Sequence, residues 1–140
     1  MWQDQYSTTT DVRAETLFNM MADINRWPEW ADDLEYTKIE GKAEVGAPFT
    51  LKPKGGPKVA MNIETFLPSH TFADLAHLPL AKMRTTKSFI QQGTVTQFTL
   101  KVEVWGLLGF FWSRALGVQM IKDAPWQREK MFAYARKIQS

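Results

Sequence analysis

Residues 94–105 constrain the fold more than any other stretch of this chain. Phe98, Leu100, Val102 and Val104 alternate strictly with Gln97, Thr99, Lys101 and Glu103. Successive strand side chains point to opposite faces, so this strand has one buried face and one wet one. The pattern then changes. Leu108, Phe111, Ala115, Val118 and Ile121 recur at three- and four-residue steps, and Met131, Tyr134, Ala135 and Ile138 prolong an apolar helical face. Pro125 stands between the two halves, where it predicts a kink or a restart, with Asp123 near a capping position. Gly109 and Gly117 lower the helicity of the first half by about 1 kcal/mol each. A sheet with one apolar face needs a cover, and only this C-terminal segment is long enough to supply it.

Upstream, Gln3–Thr10 reads as a polar, β-branched edge strand. Leu17, Met20, Met21 and Ile24 carry helical spacing, and Pro28, flanked by Trp27 and Trp30, divides the region into two short helices. Strands follow over Leu34–Glu40, Pro48–Lys52, Lys58–Leu67, Thr71–His77 and Lys82–Gln91. Turn chemistry joins them at Gly41 and Gly46, Pro53-Lys-Gly-Gly-Pro57, Pro68-Ser69, Leu78-Pro79-Leu80 and Gln92-Gly93. No repeat or linker interrupts the run, so residues 1–140 form one α+β domain. A curved antiparallel sheet of about seven strands wraps around the long C-terminal helix, with two short helices between strands 1 and 2. A single helix over a curved sheet leaves a concavity, where a ligand would sit.

Composition narrows the function. Seventeen Lys and Arg against fifteen Asp and Glu give +2, too balanced for a dedicated nucleic-acid binder. The signs are segregated, −6 over residues 1–50 against +8 over the remainder, which can orient a ligand or partner. The absence of Cys excludes disulfides, thiolate nucleophiles and Cys-based metal sites. His70 and His77 stand seven apart, on no metal-ligand spacing, so no metal or other cofactor is expected. The N-terminus has no apolar stretch of signal-peptide type, and Val104–Trp112 is too short to span a bilayer; a cytoplasmic protein is expected. Six Trp, nine Phe, three Tyr and seven Met suit an adaptable apolar pocket as well as a core.

Several local strings, in this order, resemble the polyketide cyclase/dehydrase and lipid-transport superfamily, the START-like or SRPBCC proteins with a helix-grip fold. They are Ala14-Glu-Thr-Leu-Phe18, Asp23-Ile-Asn-Arg-Trp-Pro-Glu-Trp30, the Gly41 and Gly46 pair, Pro68 at a strand end, Gly93-Thr94 and Gly106-Leu-Leu. The likeness runs from about Thr8 to Lys137. It implies a cavity, and with it a hydrophobic ligand, lipid-like or aromatic and polyketide-like. No catalytic residue carries over from the superfamily's cyclases.

Candidate residues follow from strand pairing. If the Leu78–Leu80 turn sets Asp74 opposite Thr85, then Phe72 opposes Lys87 and Ala76 opposes Met83. A Gln92-Gly93 turn sets Lys87 opposite Phe98 and Thr85 opposite Leu100. Met83, Thr85, Lys87 and Phe89 then share the apolar face, with Asp74 diagonal to Lys87. A one-residue slip would put Arg84, Thr86 and Ser88 inside instead. The expected lining is Trp30, Met61, Ile63, Phe72, Met83, Thr85, Phe98, Leu100, Phe111 and Ala115, with Lys87 and Asp74 at the ligand's polar end. A Lys in such a place can hold a carboxylate, polarise a carbonyl or act as a base. The plainer readings are an ion pair with Asp74 or an ammonium reaching a wet rim.

His70 and His77 read as exposed loop residues, although His77 could act as an acid or base. Trp27 and Trp30 either gate a cavity mouth or pack the helix pair. Glu29, Asp32, Asp33 and Glu35 read as a solvated acidic face, and Lys52, Lys54 and Lys58 as a solvated basic hairpin tip. Trp105, Phe110, Phe111 and Trp112 cannot all point inward; some are left for solvent, lipid or a second copy in a homodimer. Two further function classes stand beside the carrier. One is a cyclase, dehydratase or isomerase using Lys87 or His77. The other is a protein-binding module with an exposed apolar patch.

Overall fold

The computed structural model describes residues 1–139. Seven strands form one antiparallel sheet in the order β1-β7-β6-β5-β4-β3-β2. They are β1 (Trp2–Thr10), β2 (Leu34–Lys38), β3 (Pro48–Pro53), β4 (Val59–Leu67), β5 (Thr71–Leu78), β6 (Ala81–Gln92) and β7 (Val95–Trp105). Helix α1 (Ala14–Ala22) and a 3₁₀ helix (Ile24–Glu29) lie between β1 and β2, and Pro28 sits inside the second of these. The chain ends in α2 (Gly109–Trp112), a π-helical turn (Ser113–Gly117) and α3 (Val118–Gln139), which run on without a break. The architecture is the antiparallel sheet covered by one long C-terminal helix expected from the alternating strand and its helical sequel, and it is the α+β helix-grip arrangement that the resemblance implied.

Leu17, Phe18, Met21, Ile24 and Trp27 from the two short helices close over Ile63, Phe72, Phe89, Phe98 and Val102 of the sheet, with Met131, Phe132 and Ala135 of α3 completing the core. Long-range side-chain bonds fix the helical layer. The first free amide of α1, at Ala14, donates to Gln91 Oε1 of β6 at 2.8 Å, filling the role of a missing N-cap. Thr96 Oγ1 donates to the Val12 carbonyl at 2.7 Å.

Two features of the C-terminal helix depart from expectation. Its outward face carries Leu108, Phe111, Ala115 and Val118, all exposed. The inward face of its first half is the small-residue series Gly109, Ser113 and Gly117. The cause is close approach to β1, since a Cβ on Gly117 would lie 2.5 Å from the Trp2 ring. A π turn winds more residues per turn than an α-helix, which keeps these i, i+4 positions on one side. The irregularity therefore sits at Ser113–Gly117 and not at Pro125, which α3 absorbs on its solvent side, where the carbonyl it leaves unpaired can be hydrated. Asp123 is no cap; it lies within α3 and accepts from Gln119 Nε2 at 2.9 Å.

Strand register decides which side chains face inward. Asp74 pairs with Thr85, Phe72 with Lys87 and Ala76 with Met83, as the sequence implies. The next hairpin turns one residue later than expected, through Gly93-Thr94. Lys87 therefore opposes Leu100, Thr85 opposes Val102 and Phe89 opposes Phe98. This displaces each partner by two positions, and because the side-chain period is two, every residue keeps its face. A bulge at Glu64 in β4 has the opposite effect. Ile63 is buried before it and Phe66 turns inward after it, where its ring lies 6.2 Å from that of Phe72.

Candidate functional site

The inner face of the sheet is apolar except at its centre. Lys87 on β6 and Asp74 on β5 are 9% and 4% exposed, and Arg128 of α3, 8% exposed, points at the same region from above. Arg128 is inward because it lies four residues after Ala124 and three and four before Met131 and Phe132, all of them buried.

The three charges are poorly compensated by the protein. Among the described residues no ion pair within 4 Å joins Lys87, Asp74 or Arg128 to anything. The Lys87 ammonium lies 5.3 Å from the Trp27 ring centre and 5.9 Å from that of Trp30. The Arg128 guanidinium lies 5.4 Å from the centre of Phe98. Ring faces attract cations, though less than a carboxylate at contact does. Arg128 Nε and Nη1 are sealed from water with no hydrogen-bond acceptor. Such groups are rare in folded proteins.

Burial governs their acidities. Desolvation pushes Asp74 up to about 6; Lys87 pulls the other way and Glu64 adds to the rise. Desolvation, helped by the nearby Arg128 charge, lowers Lys87 to about 8 against the opposing pull of Asp74 and Asp33. Arg128 is lowered to about 10 by burial, with Asp33 and Tyr6 opposing. Excess positive charge at the centre of an apolar interior is what distinguishes this region.

Of the apolar and hydroxyl residues expected to line a cavity, all but two are buried. Trp30, Met61, Ile63, Phe72, Met83, Thr85, Phe98 and Leu100 are buried around Lys87 and Asp74. Phe111 and Ala115 are not among them: Phe111 is 57% exposed, and Ala115 shares its outward face. Trp27 and Trp30 pack. Trp27 Nε1 donates to the Met21 carbonyl at 3.1 Å, and its ring meets Phe49 and Phe72 edge-on at 5.5 and 6.0 Å. Arg84, the alternative to Lys87, lies on the outer face. It holds Glu64 at 2.7 Å and Glu103 at 3.4 Å, and its guanidinium is 4.9 Å from the centre of Trp105.

His77 and His70 are exposed, bonded to Asn62 Oδ1 at 2.6 Å and Thr71 Oγ1 at 2.7 Å. His77 is on the outer face and does not meet Lys87. The acidic residues tie the 3₁₀ helix and β2 to neighbouring elements. Glu29 accepts from Tyr134 at 2.8 Å, Asp32 pairs with Lys130 and Glu35 with Lys52. No cluster able to hold a metal ion occurs among the described residues.

Arg128 is the residue that sequence reasoning missed. The signal was present as a charge at an inward position of the Ala124, Met131, Phe132, Ala135 stripe, but the break expected at Pro125 hid that continuity. An open depression of about 640 Å³ lies at the opposite rim, bounded by Asp11, Arg13, Glu15, Ser69, Gln91 and Thr94, residues apart from the buried charges. At the other end of the sheet, Leu108 N donates to the Leu80 carbonyl and Trp112 Nε1 to that of Pro79, both at 2.9 Å. These bonds hold the β5–β6 turn against the start of the C-terminal helix, two segments that carry the exposed Leu80, Leu107, Phe110 and Phe111, between 57% and 87% exposed.

No protein-family model and no curated protein sequence matches the chain. Solved structures do. A START superfamily protein from Mycobacterium smegmatis superposes with a TM-score of 0.71 at 13% identity, over 97% of this chain and 98% of that one. An aromatase/cyclase, Zhui, from Streptomyces sp. R1128 gives 0.75 at 12% identity, over 97% and 94%. MLL2253 from Mesorhizobium loti gives 0.76 at 15% identity, over 97% and 98%. A sheet of seven antiparallel strands closed around one long helix, matched over nearly its whole length, gives this chain the helix-grip fold of START-like, SRPBCC proteins.

Proposed function

We propose that the protein binds a hydrophobic small molecule, lipid-like or aromatic, in the interior between the sheet and the C-terminal helix, with Lys87 and Asp74 at its polar end. The observation that carries this reading is the cluster of Lys87, Asp74 and Arg128, buried among aromatic side chains with no ion pair within 4 Å among the described residues, and with Nε and Nη1 of Arg128 lacking an acceptor. Burying a charge is costly unless something pairs with it, and a core selected for stability alone is better served by apolar residues. The unbranched thioethers of Met21, Met61, Met83 and Met131 can repack around a guest. The solved structures of the same fold include an aromatase/cyclase, which is the kind of ligand chemistry the aromatic interior suits.

Native mass spectrometry of the purified protein against a denatured sample tests this. A co-purified hydrophobic species of a few hundred daltons is the expected result. A bare mass, followed by no thermal shift with a panel of fatty acids and aromatic polyketides, overturns it. If turnover is found, Lys87→Ala separates the classes: a carrier loses some affinity, whereas an enzyme keeps binding and loses rate.

A second reading rests on the exposed Leu80, Leu107, Phe110 and Phe111. Contiguous apolar side chains at one end of a molecule mark contact sites, for a protein partner or a second copy of this chain. Size-exclusion chromatography with light scattering, on the wild type and a Leu107→Ser/Phe110→Ser variant, tests this reading. A wild-type monomer that captures no partner the variant loses removes it.

A further inference from the structure

Arg128 carries an inference about ligand class that rests on the binding reading above and goes beyond it. It comes from the long helix, opposite the strand that carries Lys87, and the two cations sense each other across the interior. Asp74 is the one carboxylate buried with them. Asp33, which acts on both cations, and Tyr6, which acts on Arg128, lie outside the core, Asp33 exposed and Tyr6 half-buried. Two cations face one buried acid, so the interior holds one unmatched positive charge. Two of the three guanidinium nitrogens have no acceptor.

We propose that Arg128 and Lys87 form an anion-binding site for the acidic head of the ligand, so that the ligand is an amphipathic carboxylic acid: one carboxylate on an apolar body. The carboxylate cancels the excess charge, and its lone pairs satisfy donors that the protein leaves unpaired. Charge-assisted hydrogen bonds of this kind are about twice as strong as neutral ones, and the dry surroundings strengthen them further. Phe98 and Trp30, over which the two cations lie, provide the apolar wall for the body of the molecule. Asp74 sets the limit on head charge: buried beside Lys87, it repels a second negative charge.

Calorimetric titration of the full chain at pH 7 tests this with two matched pairs, dodecanoate against dodecanol and 2-naphthoate against its methyl ester. The acid of at least one pair binds tenfold or more tightly than its neutral partner. Arg128→Met abolishes that difference, retains the neutral ligand, and melts no lower than wild type, because it removes a charge that the empty protein leaves unpaired. A second measurement needs no variant: acid affinity falls between pH 7 and 9.5 as Lys87 gives up its proton, and neutral affinity does not. Equal binding of acid and neutral partners, or an acid preference that survives in Arg128→Met, overturns the anion site and leaves hydrophobic binding standing. Failure of all four probes to bind overturns both.

Discussion

Replacing Lys87 by Met removes an ammonium from a site 9% exposed and leaves a side chain of similar length. In the folded protein Lys87 titrates near 8, in the unfolded chain near 10.5. Between these values the unfolded state holds a proton that the folded state has lost, so stability rises with pH across this window. A difference of about 2.5 pK units at about 1.4 kcal/mol each amounts to roughly 3 kcal/mol, of which about 2.5 kcal/mol is gained between pH 7 and 10. Wild type therefore carries this penalty in full below pH 8 and sheds it above. Lys87→Met carries none of it at any pH. The assay is urea denaturation of both proteins at pH 7, 8, 9 and 10, comparing unfolding free energies pairwise so that other titrating groups cancel. The expected result is a variant as stable as wild type or more so at pH 7, with the gap closing by pH 10. Parallel profiles would refute the reasoning, because they mean that the ammonium reaches water by a rim and is never desolvated.

Asp74→Asn isolates the complementary effect. Its folded-state pKa of about 6 lies above the ordinary 3.8, so as pH rises from 4 to 6 wild type loses about 2 kcal/mol relative to the variant; thermal melts of both proteins over that range check this. Gly106→Ala forces a Cβ to 2.7 Å from the Ala81 backbone at a φ of +113°, and a loss of about 2–4 kcal/mol in chemical denaturation is expected. Arg84→Gln on the outer face removes contacts to Glu64 and Glu103 from a side chain about one-third exposed, so the cost is about 1 kcal/mol or less and shrinks in high salt. Phe110→Ser and Leu107→Ser leave the melting temperature unchanged, since both side chains are largely in water already.

How much of the candidate site was legible in the sequence can be seen at particular residues. The strict alternation of 97–104 determined that this strand is half-buried, and the turn residues on either side of β6 determined the hairpins. From these two facts the inward placement of Lys87, Thr85 and Met83 follows even though the β6–β7 turn sits one residue later than its chemistry suggested. A displacement of two positions preserves faces, so an argument from parity tolerates that error. Asp74 opposite Thr85 was legible for the same reason. Turn chemistry and period-two patterning are local properties, and local properties survive without tertiary information.

The C-terminal helix shows where that ends. Its most apolar stripe, Leu108, Phe111, Ala115, Val118, points outward, because the surface it meets is the Trp2 ring against β7, which admits only Gly109, Ser113 and Gly117. Apolar periodicity says that a helix has two faces, while the shape of its partner says which one is used. The capping of Ala14 by Gln91 is likewise a product of contact between segments distant in sequence, and so are the surroundings in which Arg128 is buried. The sequence by itself determined the succession of elements along the chain, the hairpins and an inward-facing position for Lys87, while the pairing of β1 with β7 and the burial of Lys87 came from the tertiary structure. Only the tertiary structure decided that this lysine shares its interior with an arginine whose Nε and Nη1 find no acceptor, because the unmatched charge exists only once α3 closes over the sheet.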